Sequence, residues 1–180
     1  MSDLAWETLG SETDYTCPGF AVTRDRVRLP DGDISEFHYV SEPPSVVVIP
    51  ITPEEEVVVI EEWRQAVGRV NRGFPAGSAD PGDDDLAATA HRELREETGY
   101  VAEEVEHLAV AEPANGIADT VHHYFVGTDC LPNGSQELDD DESIRTGLTT
   151  MDRLRERLRE GTLRDGRTAL GVFYYDLLGE

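Results

Sequence analysis

Two runs, Ser45-Val-Val-Val-Ile-Pro-Ile and Glu56-Val-Val-Val-Ile, are continuously apolar and largely β-branched after their first residue rather than alternating. That pattern predicts strands buried on both faces, joined by a turn at Thr52-Pro53-Glu54-Glu55. Upstream the pattern is shorter in range. Phe20 to Leu29 alternates imperfectly, Pro30-Asp31-Gly32 makes a turn, and Phe37-His38-Tyr39-Val40 follows, so residues 6 to 40 read as a small antiparallel unit. Glu42-Pro43-Pro44 is a short stiff linker, which divides the chain into residues 1–44 and 45–180. The Gly-, Pro- and Asp-rich stretch from Arg64 to Asp85 predicts a loop. From Asp85 to Thr98, Leu86, Ala90 and Leu94 recur every fourth position with Ala87 beside them, and Gly99 follows, the signature of a helix and its stop. Further strands are expected at about 106–111 and 122–126, then a long acidic loop from Leu131 to Ser143. Thr149-x-x-Asp152 predicts a capping box that opens a helix ended by Gly161, and a last apolar helix covers Arg167 to Leu178. Internal repeats are absent. The pattern describes an α+β or α/β chain built around a central sheet, with a β unit in front.

A length of 180 residues suits one domain, or one with a small appendage, and a hydrophobic share of 38% suffices for a packed core. No apolar run approaches the ~20 residues needed to cross a bilayer, and the start MSDLAWETLG lacks a signal-peptide pattern. A cytoplasmic protein without a membrane partner is expected. The charge is lopsided: 38 acidic residues against 15 basic ones, all Arg, for a net charge of -23. Such a chain repels phosphate backbones, which argues against a nucleic-acid partner. It also suggests a very salty cytoplasm, where screening acts over only ~3 Å near molar salt. Cys17 and Cys130 are far apart and read as ordinary buried thiols of a reducing compartment.

The segment Gly77 to Tyr100, GSADPGDDDLAATAHRELREETGY, carries the chemistry. On a helix Glu93 and Glu97 lie four apart, and Glu96 lies three from Glu93, so all three share one side. Like charges at this spacing disfavour a helix unless cations sit between them, and oxygen ligands of this kind suit Mg²⁺ or Mn²⁺. In a chain with 38 carboxylates, a solvated acidic face is the default alternative. The flanking residues change the balance: Arg92 lies four before Glu96, Gly99 ends the helix, and Pro75-Ala76-Gly77 leads into the loop before it.

Arg92-Glu93-Leu94-Arg95-Glu96-Glu97-Thr98-Gly99-Tyr100 resembles the second half of the Nudix box, R-E-U-x-E-E-x-G-U, with every fixed position present. The first half departs: Gly77 is one residue too distant, and Asp84 stands where the family has Glu. Less specifically, Trp6 to Val40, Glu62-Trp63-Arg64 and Phe74-Pro75-Ala76-Gly77 resemble the ADP-ribose pyrophosphatase branch. Gly73 there replaces the branch's usual acidic residue, and in Glu112-Pro113-Ala114-Asn115-Gly116 the glycine of a proline-glycine turn is displaced.

The resemblance implies a Nudix α/β/α sandwich with a mixed central sheet, preceded by the antiparallel β unit, which in that branch commonly contributes to a homodimer. It assigns Mg²⁺ (or Mn²⁺) binding to Glu93, Glu96 and Glu97, with the Ala76 carbonyl as a further ligand and Arg92 orienting the carboxylates. It draws the general base from the acidic loop 137–142, with Glu142 first and Asp140 second, although an ordinary solvated loop is the alternative for each. The implied substrate is a small-molecule nucleotide, ADP-ribose split to AMP and ribose 5-phosphate. Alternatives are another nucleotide sugar, a dinucleotide or a damaged nucleotide, or a nucleotide-binding regulator that does not hydrolyse. Arg64 is the expected phosphate contact; Trp63 is a candidate for stacking on a base, against core packing as the commoner fate of Trp. His122 and His123 fall on opposite faces of a strand and make a poor metal pair. Arg153, Arg155, Arg157 and Arg159 read as solvated partners of nearby acids around a Leu154/Leu158 stripe. The charge balance yields a direct test: thermal stability is expected to rise from low to molar KCl, and indifference to salt would contradict that reading.

Overall fold

A computed structural model of the chain describes residues 4–80, 82–83, 85–139 and 142–179. Two compact units emerge: Met1–Pro43 with Glu112–Val121, and Pro44–Ala111 with His122–Glu180. In the first, strands β1 (Glu7–Cys17), β2 (Phe20–Arg28) and β3 (Ile34–Ser41) form an antiparallel sheet in that order. Gly32, at φ +97°, turns the chain between β2 and β3, a conformation that glycine adopts without steric cost. Arg24 gathers Glu12, Asp14 and Glu36 across this sheet, so neighbouring strands do not oppose bare like charges. The distant segment 112–121 joins this unit because Asp119 accepts hydrogen bonds from the Ser41 hydroxyl and the Glu42 amide.

The second unit is the α/β/α sandwich. Its mixed sheet runs β7 (Ala76–Ser78), β4 (Ser45–Pro50), β9 (His122–Thr128), β8 (Glu104–Ala111), with β4 and β9 parallel and the other neighbours antiparallel. An antiparallel sheet runs β10 (Ile144–Thr149), β5 (Val57–Arg64), β6 (Arg69–Gly73). The continuous apolar run of β4 is explained by its two covered faces. Val46 and Val48 pack with Ala90 and Leu94 of helix α1 (Leu86–Thr98), together with Phe125. Val47 and Ile49 pack with Leu154 of α2 (Met151–Arg159) and Val172 of α3 (Gly166–Leu178), together with Val57, Val59 and Tyr124. The Leu86–Ala90–Leu94 stripe is the face that α1 buries. Cys130 is buried and Cys17 half-buried, and both are free thiols.

Two expectations change, and one strand is added. The stretch from Arg64 to Asp85 is not all loop: it contains β6 and β7, whose short, glycine-bearing sequences hide their strand character but which pair with β5 and β4. Immediately beyond the acidic stretch 131–143 lies β10, a strand that no expectation covered, because it has little apolar pattern and exists through its pairing with β5. The cap of α2 is Thr150, whose hydroxyl accepts from the Arg153 amide, because Thr149 still belongs to β10. Among the described residues no helix is long and apolar enough to cross a membrane. Thr150→Ala should therefore lower stability by about 1 kcal/mol, and Thr149→Ala by clearly less, in urea unfolding. The reverse order would contradict the assigned cap.

Candidate active site

Helix α1 presents the acidic cluster because both its ends are fixed. The Asp85 carboxylate accepts from the Ala87 and Ala88 amides at 3.0 and 3.3 Å, satisfying donors that have no partner within the helix. At the other end Gly99 takes φ +73° and its amide donates to Arg95 O, the left-handed cap that glycine favours. Between them Leu94 and Ala90 face the core, and that rotation carries Glu97 into the interior, where only 4% of its surface is exposed.

The three glutamates have different surroundings. Glu97 Oε2 accepts the Ala76 amide at 2.8 Å, tying α1 to β7. Burial pushes its pKa from 4.5 up to about 8, with Glu93, Glu142 and Glu62 adding like charge and the Ala76 hydrogen bond opposing. Glu93 is pushed up to about 7, first by burial and then by Glu96 and Glu142, against the attraction of Arg92. Glu96 is shared between two guanidinium groups, Arg92 Nη1 at 3.1 Å and Arg95 Nη2 at 3.0 Å. Arg92 Nη1 also lies 2.8 Å from Glu93 Oε1, so one arginine braces both glutamates. Gly77 allows this packing, since a Cβ there would overlap the Glu93 carboxylate.

The acidic loop is bound to the same end of α1. The Gln136 side chain donates to Glu97 O at 2.7 Å, the Glu137 amide donates to Glu96 O at 2.8 Å, and Arg95 pairs with Glu137 at 3.0 Å. Glu142 then lies within electrostatic reach of Glu93, Glu97 and Glu62, with one carboxylate oxygen accepting the Asp139 amide at 3.0 Å. Asp140 and the box-related Asp84 lie outside the described residues.

Arg64 pairs with Glu62 at 2.7 Å, and its guanidinium interacts electrostatically with Arg167, Asp165 and Glu97. Trp63, with 49% of its surface exposed, is not in the core; its indole donates to the Gln65 side chain. The sequence reading gave no role to Glu62 or Arg167. Alternation along β5 places Glu62 on the same face as Arg64, a signal available in the sequence. Arg167 reaches this group only through the docking of α3, which no local pattern reveals. Gly73 also acquires a reason: a Cβ there would come within 2.5 Å of Thr168 Oγ1 and 3.3 Å of Asp165 Oδ1, so α3 occupies the space of a side chain at that position. His122 is buried and His123 half-buried beside His107, their rings 5.9 Å apart.

As a donor set, Glu93, Glu96 and Glu97 fit a hard divalent cation. They are oxygen ligands, Glu97 is buried and Glu93 half-buried amid surplus negative charge, and Glu97 has no ion-pair partner among the described residues. Among the described residues no three His, Cys, Asp or Glu side chains already converge on one point, because Arg92 draws Glu93 and Glu96 towards itself.

Comparison with known proteins agrees with this geometry. The NUDIX domain model matches residues 41–166, well over half of the chain. The methanol dehydrogenase activator of Bacillus methanolicus is 34% identical over 85% of this chain and 83% of its own length. An ADP-ribose pyrophosphatase of Bacillus subtilis (strain 168) is 27% identical over 98% of this chain and 96% of its own. An ADP-ribose pyrophosphatase of Mycobacterium tuberculosis is 30% identical over 81% and 70%, respectively. A solved ADP compounds hydrolase shares the fold at a TM-score of 0.83 and 20% identity, over 98% of this chain and 96% of that one. An R-E-x-x-E-E-x-G helix buried against a mixed sheet, in a chain that matches the domain model and these relatives, places the protein in the Nudix family, within its ADP-ribose-pyrophosphatase-like branch.

Proposed function

We propose that the protein hydrolyses a nucleoside diphosphate linked to another group, with ADP-ribose, split to AMP and ribose 5-phosphate, as its substrate. The observation that carries this reading is the crowding of Glu93 and Glu97 at the buried end of α1, with raised pKa values and no ion pair on Glu97 among the described residues. The similarity to two ADP-ribose pyrophosphatases, nearly full-length for one of them, supports the choice of substrate. Glu93, Glu96 and Glu97, with the Ala76 carbonyl, would hold Mg²⁺ or Mn²⁺. When bound, such an ion offsets charge on the phosphate oxygens and makes water a better nucleophile.

The remaining work falls to the chain. Arg92 braces Glu93 and Glu96, so the carboxylates cannot spread apart to relieve their repulsion. Arg64, half-buried beside the carboxylates and only partly offset by Glu62, provides a fork of donors for a phosphate group. That guanidinium matters because a diphosphate approaching a chain of net charge -23 is repelled from most directions. Glu142, next to the acidic centre, would accept the proton of the attacking water. Trp63, exposed close by in sequence, is free to cover a base. The antiparallel β unit would serve a homodimer, as in the branch.

A second reading has its own support: a relative at 34% identity is named an activator of another enzyme, which suits a nucleotide-binding regulator. Three crowded carboxylates are costly to keep without a cation to bind, which favours hydrolysis. AMP release from ADP-ribose with Mg²⁺ in high KCl, beside a panel of other diphosphates, decides between them. ADP-ribose cleavage well above the rest, abolished by EDTA, is expected; binding without release would support the regulator, and cleavage of another compound would move the substrate.

Two variants follow. Glu97→Gln should lower kcat by about a hundredfold or more, roughly the 3 kcal/mol associated with losing one strong charge contact in a transition state, with the fold intact by circular dichroism. Full activity would remove the metal-site assignment. Gly77→Ala should displace Glu93 and weaken Mg²⁺ activation, read as a raised Mg²⁺ concentration for half-maximal rate; an unchanged Mg²⁺ dependence would contradict the close packing of Gly77 against that carboxylate.

A further inference from the structure

A second cationic site lies outside this centre. Around the outer edge of β6, between that strand and the turn from α2 to α3, is a cavity of about 480 Å³ lined by Arg69, Arg72, Arg157 and Arg164, with Glu61 and Asp165 on its wall. Four of the chain's fifteen basic residues thus face one cavity, in a molecule with 38 acidic ones.

The acids here are engaged, whereas three of the four arginines have no ion pair among the described residues. Glu61 is engaged by Arg145 and lies 4.0 Å from Arg72. Asp165 caps α3, accepting the Thr168 amide at 2.8 Å and the Thr168 hydroxyl at 2.7 Å. A third acid, Glu160, lies 3.9 Å from Arg153. By contrast, the Arg69 guanidinium donates to the Asn71 side chain, and among the described residues Arg69, Arg157 and Arg164 have no ion pair, Arg157 acting on Glu61 only at longer electrostatic range. Arg157 stands in the last turn of α2, where the helix dipole accounts for one cation. It does not account for Arg69 on β6 or Arg164 beyond α2, which face the same space from other elements.

We propose that this arginine-lined cavity binds a phosphomonoester anion at a site separate from the glutamate cluster. Its volume falls within the ~300–1,000 Å³ of small-ligand sites. Guanidinium forks on separate elements can grip a tetrahedral phosphate through several charge-assisted hydrogen bonds. The cavity wraps the free edge of β6: Arg72 and its cross-strand partner Glu61 face away from Glu62, whereas Arg69 pairs with Arg64 on the Glu62 face, and Arg157 and Arg164 come from the α2–α3 side, away from the glutamates of α1. The net charge elsewhere sharpens the selectivity, since an anion finds few other places on this molecule where cations outnumber acids.

The test is isothermal titration of inorganic phosphate into the full chain in KCl with EDTA, so that no divalent cation contributes. Saturable one-to-one binding is expected, with affinity at least tenfold weaker in Arg157→Ala/Arg164→Ala and partly retained in the corresponding Lys pair. The half-exposed Arg157 and exposed Arg164 have no ion pair among the described residues, so the variants should keep the wild-type circular dichroism and melting temperature. Titrations with AMP and ribose 5-phosphate then separate a nucleotide from a sugar phosphate as the natural source. Absence of saturable binding to the wild type would overturn the proposal. So would binding lost in Arg64→Ala but kept in the double variant, which would place the anion at the glutamate centre instead. Because no cation and no turnover enters this measurement, its failure leaves the hydrolase reading untouched, and the reverse also holds.

Discussion

The second unit is organised around an electrostatic conflict: a carboxylate, Glu97, is carried inside by the same helix rotation that buries Leu94. Removing a charge from water is expensive unless it is paired or hydrogen-bonded. Here the compensation is a single amide, that of Ala76, and three further carboxylates lie close enough to oppose ionisation. Helix α1 could relieve the conflict by turning, but that would expose Leu94 and Ala90. At about 25 cal/mol per Å² of apolar surface, packing holds the helix where its electrostatics alone would not. A divalent cation bound there would resolve the conflict without disturbing the packing.

Much of the surrounding structure follows from keeping that cluster in place. Gly99 ends α1 where its last carbonyls can receive the Gln136 side chain and the Glu137 amide, so the acidic loop is fastened to the helix rather than repelled from it. Arg92 and Arg95 sit between carboxylates and lower the cost of assembling them. Beyond the centre, arginine is used sparingly and locally. Arg24 holds a three-acid group in the β unit, and Arg155 joins Asp152 and Asp176 across α2 and α3. Against that background, the arginines around β6 that lack an acid are the departure from the rule.

How much of this could be read in the sequence depends on how local the cause is. The valine runs of β4 and β5 and the stripe of α1 were legible because burial on both faces, and on one helical face, leaves a periodic trace. The common side of Glu93, Glu96 and Glu97 follows from helical spacing alone. Strands β6, β7 and β10 were not legible, since Arg69–Gly73, Ala76–Ser78 and Ile144–Thr149 owe their conformation to pairing with distant strands. The Thr149–Thr150 displacement arises because β10 runs one residue further than a local cap signal can show. Glu62 and Arg167 meet near Arg64 through tertiary packing, and the joining of residues 112–121 to the β unit depends on Asp119 hydrogen bonds that span more than seventy residues.

The most direct measurement is unfolding stability against pH, from 5 to 9 in constant KCl, without and with Mg²⁺. Glu93 and Glu97 titrate at about 7 and about 8 in the folded chain, against 4.5 as their ordinary value. Between those limits the folded state binds more protons than the unfolded one, so metal-free stability must fall as the pH rises from about 4.5 to 8. The account predicts that fall, its marked reduction in Glu97→Gln, and its reversal by Mg²⁺ chiefly above pH 7. A flat profile, or one that Mg²⁺ and Glu97→Gln leave unchanged, would contradict the claim that buried, crowded carboxylates form a cation site.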